Sequence, residues 1–236
     1  MGVFIILGTY QTEEEAAKAP NDPNAQGRKK HAGDAIFEDV NNDGQLDSKD
    51  MKFMGYIRPD KVGGIVNSFK YKGLTVRVVM DWAMGHVIDN GFKGQIMGSS
   101  RNNNNAIKDA MTNSWQSAND GTKYPKYTVQ SDYDYQYRNH MRWDNQIGSS
   151  ESGSTNNSLY FSKGDYLAFR EVSLSYMLPS TWVRKIRLSG VEVFAGAYNI
   201  GYIKKYDGMF PEIYTGVDYG VYPRPRQYNM GVKINF

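Results

Sequence analysis

The chain has 236 residues with 28 basic and 25 acidic side chains, 40% hydrophobic content and no cysteine. A net charge of +3 over this length is too weak a field to call for nucleic acid, and without cysteine neither disulfides nor thiol catalysis can operate. Aromatic residues at 14%, together with 24 glycines, suit β-strands joined by long polar loops; no apolar run nears the roughly 20 residues of a membrane-spanning helix.

The opening "MGVFIILGTY" lacks the basic flank, length and cleavage site of a signal peptide, and predicts a strand over residues 3–10. In "TEEEAAKA" (12–19), Thr12 and Glu15 are spaced for a capping box and a short helix. The stretch from 20 to 34 reads as loop, and its basic run "GRKKH" (27–31) as a solvated loop rather than a binding patch.

Residues 39–50, "DVNNDGQLDSKD", carry the one coordination pattern. Asp39, Asn41, Asp43, the Gln45 carbonyl, Asp47 and Asp50 fall at positions 1, 3, 5, 7, 9 and 12 of a twelve-residue loop, with Gly44 at the sharp turn. Oxygen ligands at this spacing can wrap Ca²⁺, although Asp at position 12 closes the shell less well than Glu. The competing reading is an Asn/Asp turn whose side chains bond their own backbone.

Residues 64–71 and 74–84 predict a hairpin turning near "YKG" (71–73). On its second arm Leu74, Val76, Val78, Met80, Trp82 and Met84 share one face. From 85 to 158 the chain turns polar, with helical spacing at Ile107, Met111 and Trp115. There "SDYDYQYRNHMRW" offers Tyr133, Tyr135, Tyr137 and Trp143, which can stack on a sugar ring, grip a peptide, or pack against neighbouring loops. A strand over 160–178 changes phase at Arg170, which predicts a bulge, and strands over 187–199 and 226–236 follow. Arg77, Asp81, Arg170 and Glu171 are expected to face water or a plug, with plain structural pairing as the competing reading, while Trp82, Tyr176 and Tyr198 are expected near strand ends as an aromatic belt. His31, His86 and His140 lie in loops without HExxH, GxSxG or a phosphate-binding glycine pattern, so no catalytic residue is assigned and the chain is not read as an enzyme.

The ending "QYNMGVKINF" (227–236) alternates strictly, with Tyr228, Met230, Val232, Ile234 and Phe236 in one phase. At this composition such a run arises in about 1 in 1000 ten-residue windows by chance, so it calls for a cause. Lipid on one side of a sheet and water on the other supplies one. Short connections near 71–73 and 179–186 alternate with long ones over 11–63, 85–158 and 200–225. All short turns then fall at one end of an up-and-down sheet, as in outer-membrane barrels. A secreted, calcium-stapled, glycan-binding β-sandwich is the alternative, and a small barrel hydrolase a third.

Five stretches in order carry a family resemblance: "GDAIFEDVNNDGQLDSKD" (33–50), "SFKYKGLTVRVVMDWAMG" (68–85), "GDYLAFREVSLSYMLP" (164–179), "YNIGYIKKYDGMFPE" (198–212) and "YPRPRQYNMGVKINF" (222–236). Together they resemble the C-terminal part of a SusC/RagA-type TonB-dependent outer-membrane transporter of Bacteroidetes. The resemblance implies an all-β, transmembrane antiparallel barrel of about 22 strands with long extracellular loops, to which residues 1–236 would contribute the final strands. It also implies uptake of oligosaccharides or peptides with a SusD/RagB-like lipoprotein, energy from the TonB complex, contact with outer-membrane lipid, and a plug carried elsewhere than in this chain. Tyr228, Met230, Val232, Ile234 and Phe236 are similar to the signal read by the barrel-assembly machinery. The family usually has Asp where Phe210 stands.

Overall fold

The computed structural model describes residues 2–97, 108–122, 124–127, 134, 138–139 and 157–236. Its strands are β1 (Gly2–Val3), β2 (Ile6–Thr9), β3 (Ala35–Phe37), β4 (Lys52–Phe53), β5 (Lys61–Tyr71), β6 (Leu74–Met84), β7 (Val87–Asp89), β8 (Phe161–Lys163), β9 (Tyr166–Met177), β10 (Gly190–Lys204) and β11 (Gln227–Asn235). Two compact units result. One comprises Met1–Ile57, Val87–Ser162 and Ile213–Val221; the other comprises Arg58–His86, Lys163–Glu212 and Tyr222–Phe236.

The second unit is a five-stranded antiparallel meander in the order β11-β10-β9-β6-β5. Its strands form because β-branched and aromatic residues recur at period two, and because each turn fits its register. Lys72 and Gly73 close the β5–β6 hairpin with φ of 44° and 86°, the left-handed pair that a two-residue turn requires. A Cβ on Gly73 would stand 2.7 Å from the Met177 carbonyl oxygen, so glycine is needed for contact as well as for conformation. The bulge expected at Arg170 is present: register shifts where Val79 faces Glu171 and Met80 faces Phe169, leaving Arg170 as the extra residue. A second shift separates Tyr198 from Gly201 on β10.

Register also places the connections. Lys61 pairs with Met84, Ala83 with Tyr166, and Tyr166 with Lys204, so the long segments leave the strands at one end. Leu74 pairs with Tyr71 and Tyr176, and Gly190 with Asn235, so the two short connections share the other end.

The first unit is built from the long segments and has its own small apolar clusters. Phe4, Ala35, Phe37 and Leu46 form one; Ala110, Tyr124 and Tyr160 form another; Val3, Val87 and Phe161 form a third. Three sequence expectations change here. Residues 3–10 do not join the meander: the apolar run divides into β1, paired with β4, and β2, paired with β3. The basic run is not wholly solvated, because Lys30 is buried with its ammonium 3.5 Å from Asp22 and 4.6 Å from the Phe37 ring centroid. Burial pulls the Lys30 pKa below the usual lysine range. The capping box is half formed, since Thr12 accepts from the Glu15 N–H at 3.2 Å while the Glu15 carboxylate takes the Gln11 N–H instead. Ile107 lies outside the described residues, and the helix expected around it is described only as Lys108–Thr112.

Candidate functional site: a two-faced sheet and its bound charges

Cross-strand register sorts the side chains of the meander onto two chemically different faces. One row runs Tyr228–Ala197–Val172–Val78–Asn67 across all five strands. The parallel row Met230–Ala195–Leu174–Val76–Phe69 is apolar throughout. Beyond the bulge the same face continues through Met80, Phe169 and Gly201, then Trp82, Leu167 and Ile203. These side chains are not core. Phe69 is 60% exposed, Leu174 46% and Met230 87%, and no second sheet of this unit covers them. A sandwich would bury such a face. So wide an apolar surface marks contact with something greasy.

The opposite face is mixed: Val66, Val79 and Phe194 lie on it, but it also carries the charged side chains of the mid-sheet, and these are paired. Arg77 lies 3.4 Å from Glu171 across β6 and β9. The Arg170 guanidinium takes both oxygens of Asp81, donates to the Tyr202 hydroxyl at 3.2 Å, and reaches Glu212 at 2.5 Å. Glu212, 1% exposed in its side chain, also accepts from Tyr202 at 2.6 Å and meets Arg224 at 3.3 Å. Phe210 packs edge-on against Tyr202 and lies under the Arg224 guanidinium. The four charged residues read from the sequence are thus paired. Glu212 and Arg224, which complete the cluster, were not anticipated, because their segment shows no strand period.

The aromatic belt needs one correction. Trp82 and Tyr176 do sit within two residues of strand ends on the apolar face. Tyr198 does not: it pairs with Glu171 on the polar face beside the β10 irregularity, with its ring over Gly196.

Where the long segments leave the strands, the Asp165 carboxylate accepts the Gly85 N–H at 2.8 Å and holds the Lys205 ammonium at 2.9 Å. Those two contacts keep its carboxyl below the usual aspartate range. Burial pushes His86 beside it below the usual histidine range, against the pull of the Asp165 carboxylate.

The acidic loop is curled by its own amides. Asp39 accepts the Asp43 and Gly44 N–H groups at 3.3 and 2.8 Å, Asn41 accepts Asp43 N–H at 3.0 Å, and Asp43 accepts Gln45 N–H at 2.9 Å. Asp50 is buried and spends both oxygens on the Asp47 and Val40 N–H groups. Lys49 places its ammonium 3.9 Å from Asp43 and 3.4 Å from Asp47, the cation present in this arrangement. Among the described residues no three acidic or histidine side chains gather as a metal-holding group. The spacing for a cation loop is therefore there at Asp39, Asn41, Asp43 and Gln45, whereas Asp50 is committed to a capping box. Tyr133, Tyr135, Tyr137 and Trp143 lie outside the described residues.

The terminal strand puts Tyr228, Met230, Val232 and Ile234 on the apolar face, between 47% and 87% exposed. Comparison with known proteins accounts for this architecture. No family model matches the chain. It is 25% identical over 216 residues to the TonB-dependent receptor P3 of Formosa agariphila, covering 86% of this chain and 19% of that one. It is 26% identical over 91 residues to the TonB-dependent receptor SusC of Bacteroides thetaiotaomicron, covering 38% of this chain and 9% of SusC. Its fold matches the structure of the RagAB peptide transporter with a TM-score of 0.65 at 18% identity, over 100% of this chain and 23% of the transporter chain. The chain is similar to the SusC/RagA-type TonB-dependent transporters. It spans about a fifth of the length of the TonB-dependent receptors it matches in sequence, 19% of P3 and 22% of receptor P26.

Proposed function

We propose that the chain supplies wall strands and outer loops of an active outer-membrane importer of the SusC type. The observation that carries this reading is the five-strand-wide apolar face left exposed opposite a paired polar face. Hydrocarbon leaves no backbone group unpaired, so the free edges of β5 and β11 would pair with further strands of a closed barrel. Five strands cannot enclose a lumen; a barrel of about 22 strands, with a plug inside, would. The polar face would line that lumen, and the long segments would face the cell exterior, since short turns belong to the periplasmic end.

As a whole transporter it would take up oligosaccharides or peptides under a SusD/RagB-like lipoprotein and draw energy from the TonB complex; similarity to SusC and to the RagAB peptide transporter supports that assignment. Tyr133, Tyr135, Tyr137 and Trp143 remain candidates to touch substrate or lid. Tyr228, Met230, Val232, Ile234 and Phe236 would be read by the barrel-assembly machinery. This chain performs no chemistry of its own. Fractionation provides the test: the protein should sediment with outer membranes and leave them only in detergent, and release into plain buffer would refute the assignment.

The acidic loop is proposed as a weak Ca²⁺ site in the range of about 10⁻⁴–10⁻³ M. Asp39, Asn41, Asp43 and Gln45 would lead, and Lys49 would have to swing away. Calorimetry on the whole transporter should show saturable heat at millimolar Ca²⁺, tightened severalfold by Lys49→Gln. A flat trace for both proteins would end the idea.

A further inference from the structure

The short-turn end of the meander carries cations that no described residue neutralises. The connection 178–189, "LPSTWVRKIRLS", holds Arg184, Lys185 and Arg187 and no carboxylate. All three are exposed, and none forms an ion pair with a described residue. Arg187 sits at φ 60° and returns its N–H to the Arg184 carbonyl at 3.1 Å, which gathers the three basic residues into one tight arc. The β5–β6 hairpin adds Lys72, whose ammonium stands 5.2 Å from the Tyr71 ring centroid. Pairing of Met177 N–H with the Gly73 carbonyl at 2.8 Å holds hairpin and connection side by side. The acid nearest in register, Glu192, faces Met177 and Lys233 on the polar face.

The same connection exposes large apolar groups. Trp182 is 62% exposed and Ile186 65%, while Val183 between them is buried. At the other end of the strands the arrangement is reversed: Lys205 is held by Asp165, and Arg170 by Asp81 and Glu212. Unpaired cations mixed with an exposed indole, continuous with an apolar wall, match one environment: the boundary between acyl chains and phosphates. Trp182 and Ile186 would enter the acyl margin while the cations meet phosphate.

We propose that this end, centred on Trp182, Arg184, Lys185 and Arg187 with Lys72 beside it, is a seat for anionic phospholipid headgroups of the adjoining leaflet. The proposal rests on the membrane reading above and adds a lipid preference to it. Each cation near an anionic surface contributes roughly fivefold, so three together give a selectivity that is measurable and screened by salt.

The whole transporter would be purified from outer membranes, exchanged into nanodiscs of phosphatidylglycerol and phosphatidylcholine at 3:7, and its retained lipid measured by mass spectrometry. Wild type should enrich phosphatidylglycerol, and the triple variant R184Q/K185Q/R187Q should lose that enrichment tenfold or more. Inorganic phosphate at 50 mM should lower the enrichment no more than sodium chloride of equal ionic strength. Equal retention by wild type and variant would overturn the proposal, as would displacement by inorganic phosphate beyond that salt control, which would mark a free-anion site. The triple variant should still need detergent for extraction, so failure of the lipid seat and failure of the membrane assignment give different results. W182F provides a second reading: brominated phosphatidylglycerol should quench wild-type fluorescence more than that of W182F, and identical quenching counts against the seat.

Discussion

Val172→Arg should remove most of the correctly assembled transporter from the outer membrane, whereas Ser173→Arg, one residue along, should leave it nearly intact. Val172 lies mid-strand on β9 between Val78 and Ala197, 39% exposed on the apolar face. Were that face wet, an arginine at a partly exposed site would change stability by no more than about 0.5 kcal/mol. In hydrocarbon near the bilayer midplane the cost is about 2–4 kcal/mol, a shift of roughly 30- to 700-fold in the folding equilibrium. Ser173 faces Arg77 and Gly196 on the polar side, where an added cation meets at most a like-charge penalty of about 1 kcal/mol. Heat-modifiable mobility of the membrane fraction reports the folded amount. Equal behaviour of the two variants would mean that both faces meet the same solvent.

Arg170→Met should be the most damaging single change on the polar face. The guanidinium holds Asp81 and the nearly buried Glu212 together, and its loss takes from Glu212 its closest cation, leaving the half-exposed Arg224 at 3.3 Å. Taking one member from such a buried pair costs about 3–5 kcal/mol. Arg77→Met, which breaks the more exposed pair with Glu171, should cost no more than about 1 kcal/mol. Because Glu212 tethers the segment after β10, Arg170→Met should also speed proteolysis between residues 205 and 226. Adding Glu212→Gln should restore part of the loss, since the stranded charge is then gone. Thermal melts in detergent separate these outcomes; equal losses for Arg170→Met and Arg77→Met would rule out the tether.

The strands of the meander are readable in the sequence wherever two different neighbours impose a period of two. That is why Leu74 to Met84 and Tyr228 to Ile234 declare their faces in advance. The same logic misplaces Tyr198 because β10 runs on past the expected end at 199 to Lys204, which leaves that ring mid-strand, in phase with Glu192 and Gly196 on the polar side. Residues 3–10 mislead differently: a short apolar run does not say which partner it pairs with, and here β2 pairs locally with β3. Lys30 looks solvated in a basic run because neither of its partners, Asp22 within the same loop and the distant Arg138 carbonyl, is signalled by a local period. The acidic loop is legible as spacing but not as occupancy, for the spacing that suits a cation also suits the loop's own amides. The Arg170–Glu212 contact has no local signature at all.

The central claim is that β11 and its neighbours divide oil from water, and single-cysteine labelling of the assembled transporter tests it most directly. This chain contributes no cysteine of its own. Replacements at Gln227, Asn229 and Lys233 should react with a water-soluble maleimide, while those at Tyr228, Met230, Val232 and Ile234 should resist it and, once spin-labelled, collide with oxygen in the bilayer. Uniform reactivity along the strand, or fast aqueous labelling at Met230 and Val232, would contradict the account.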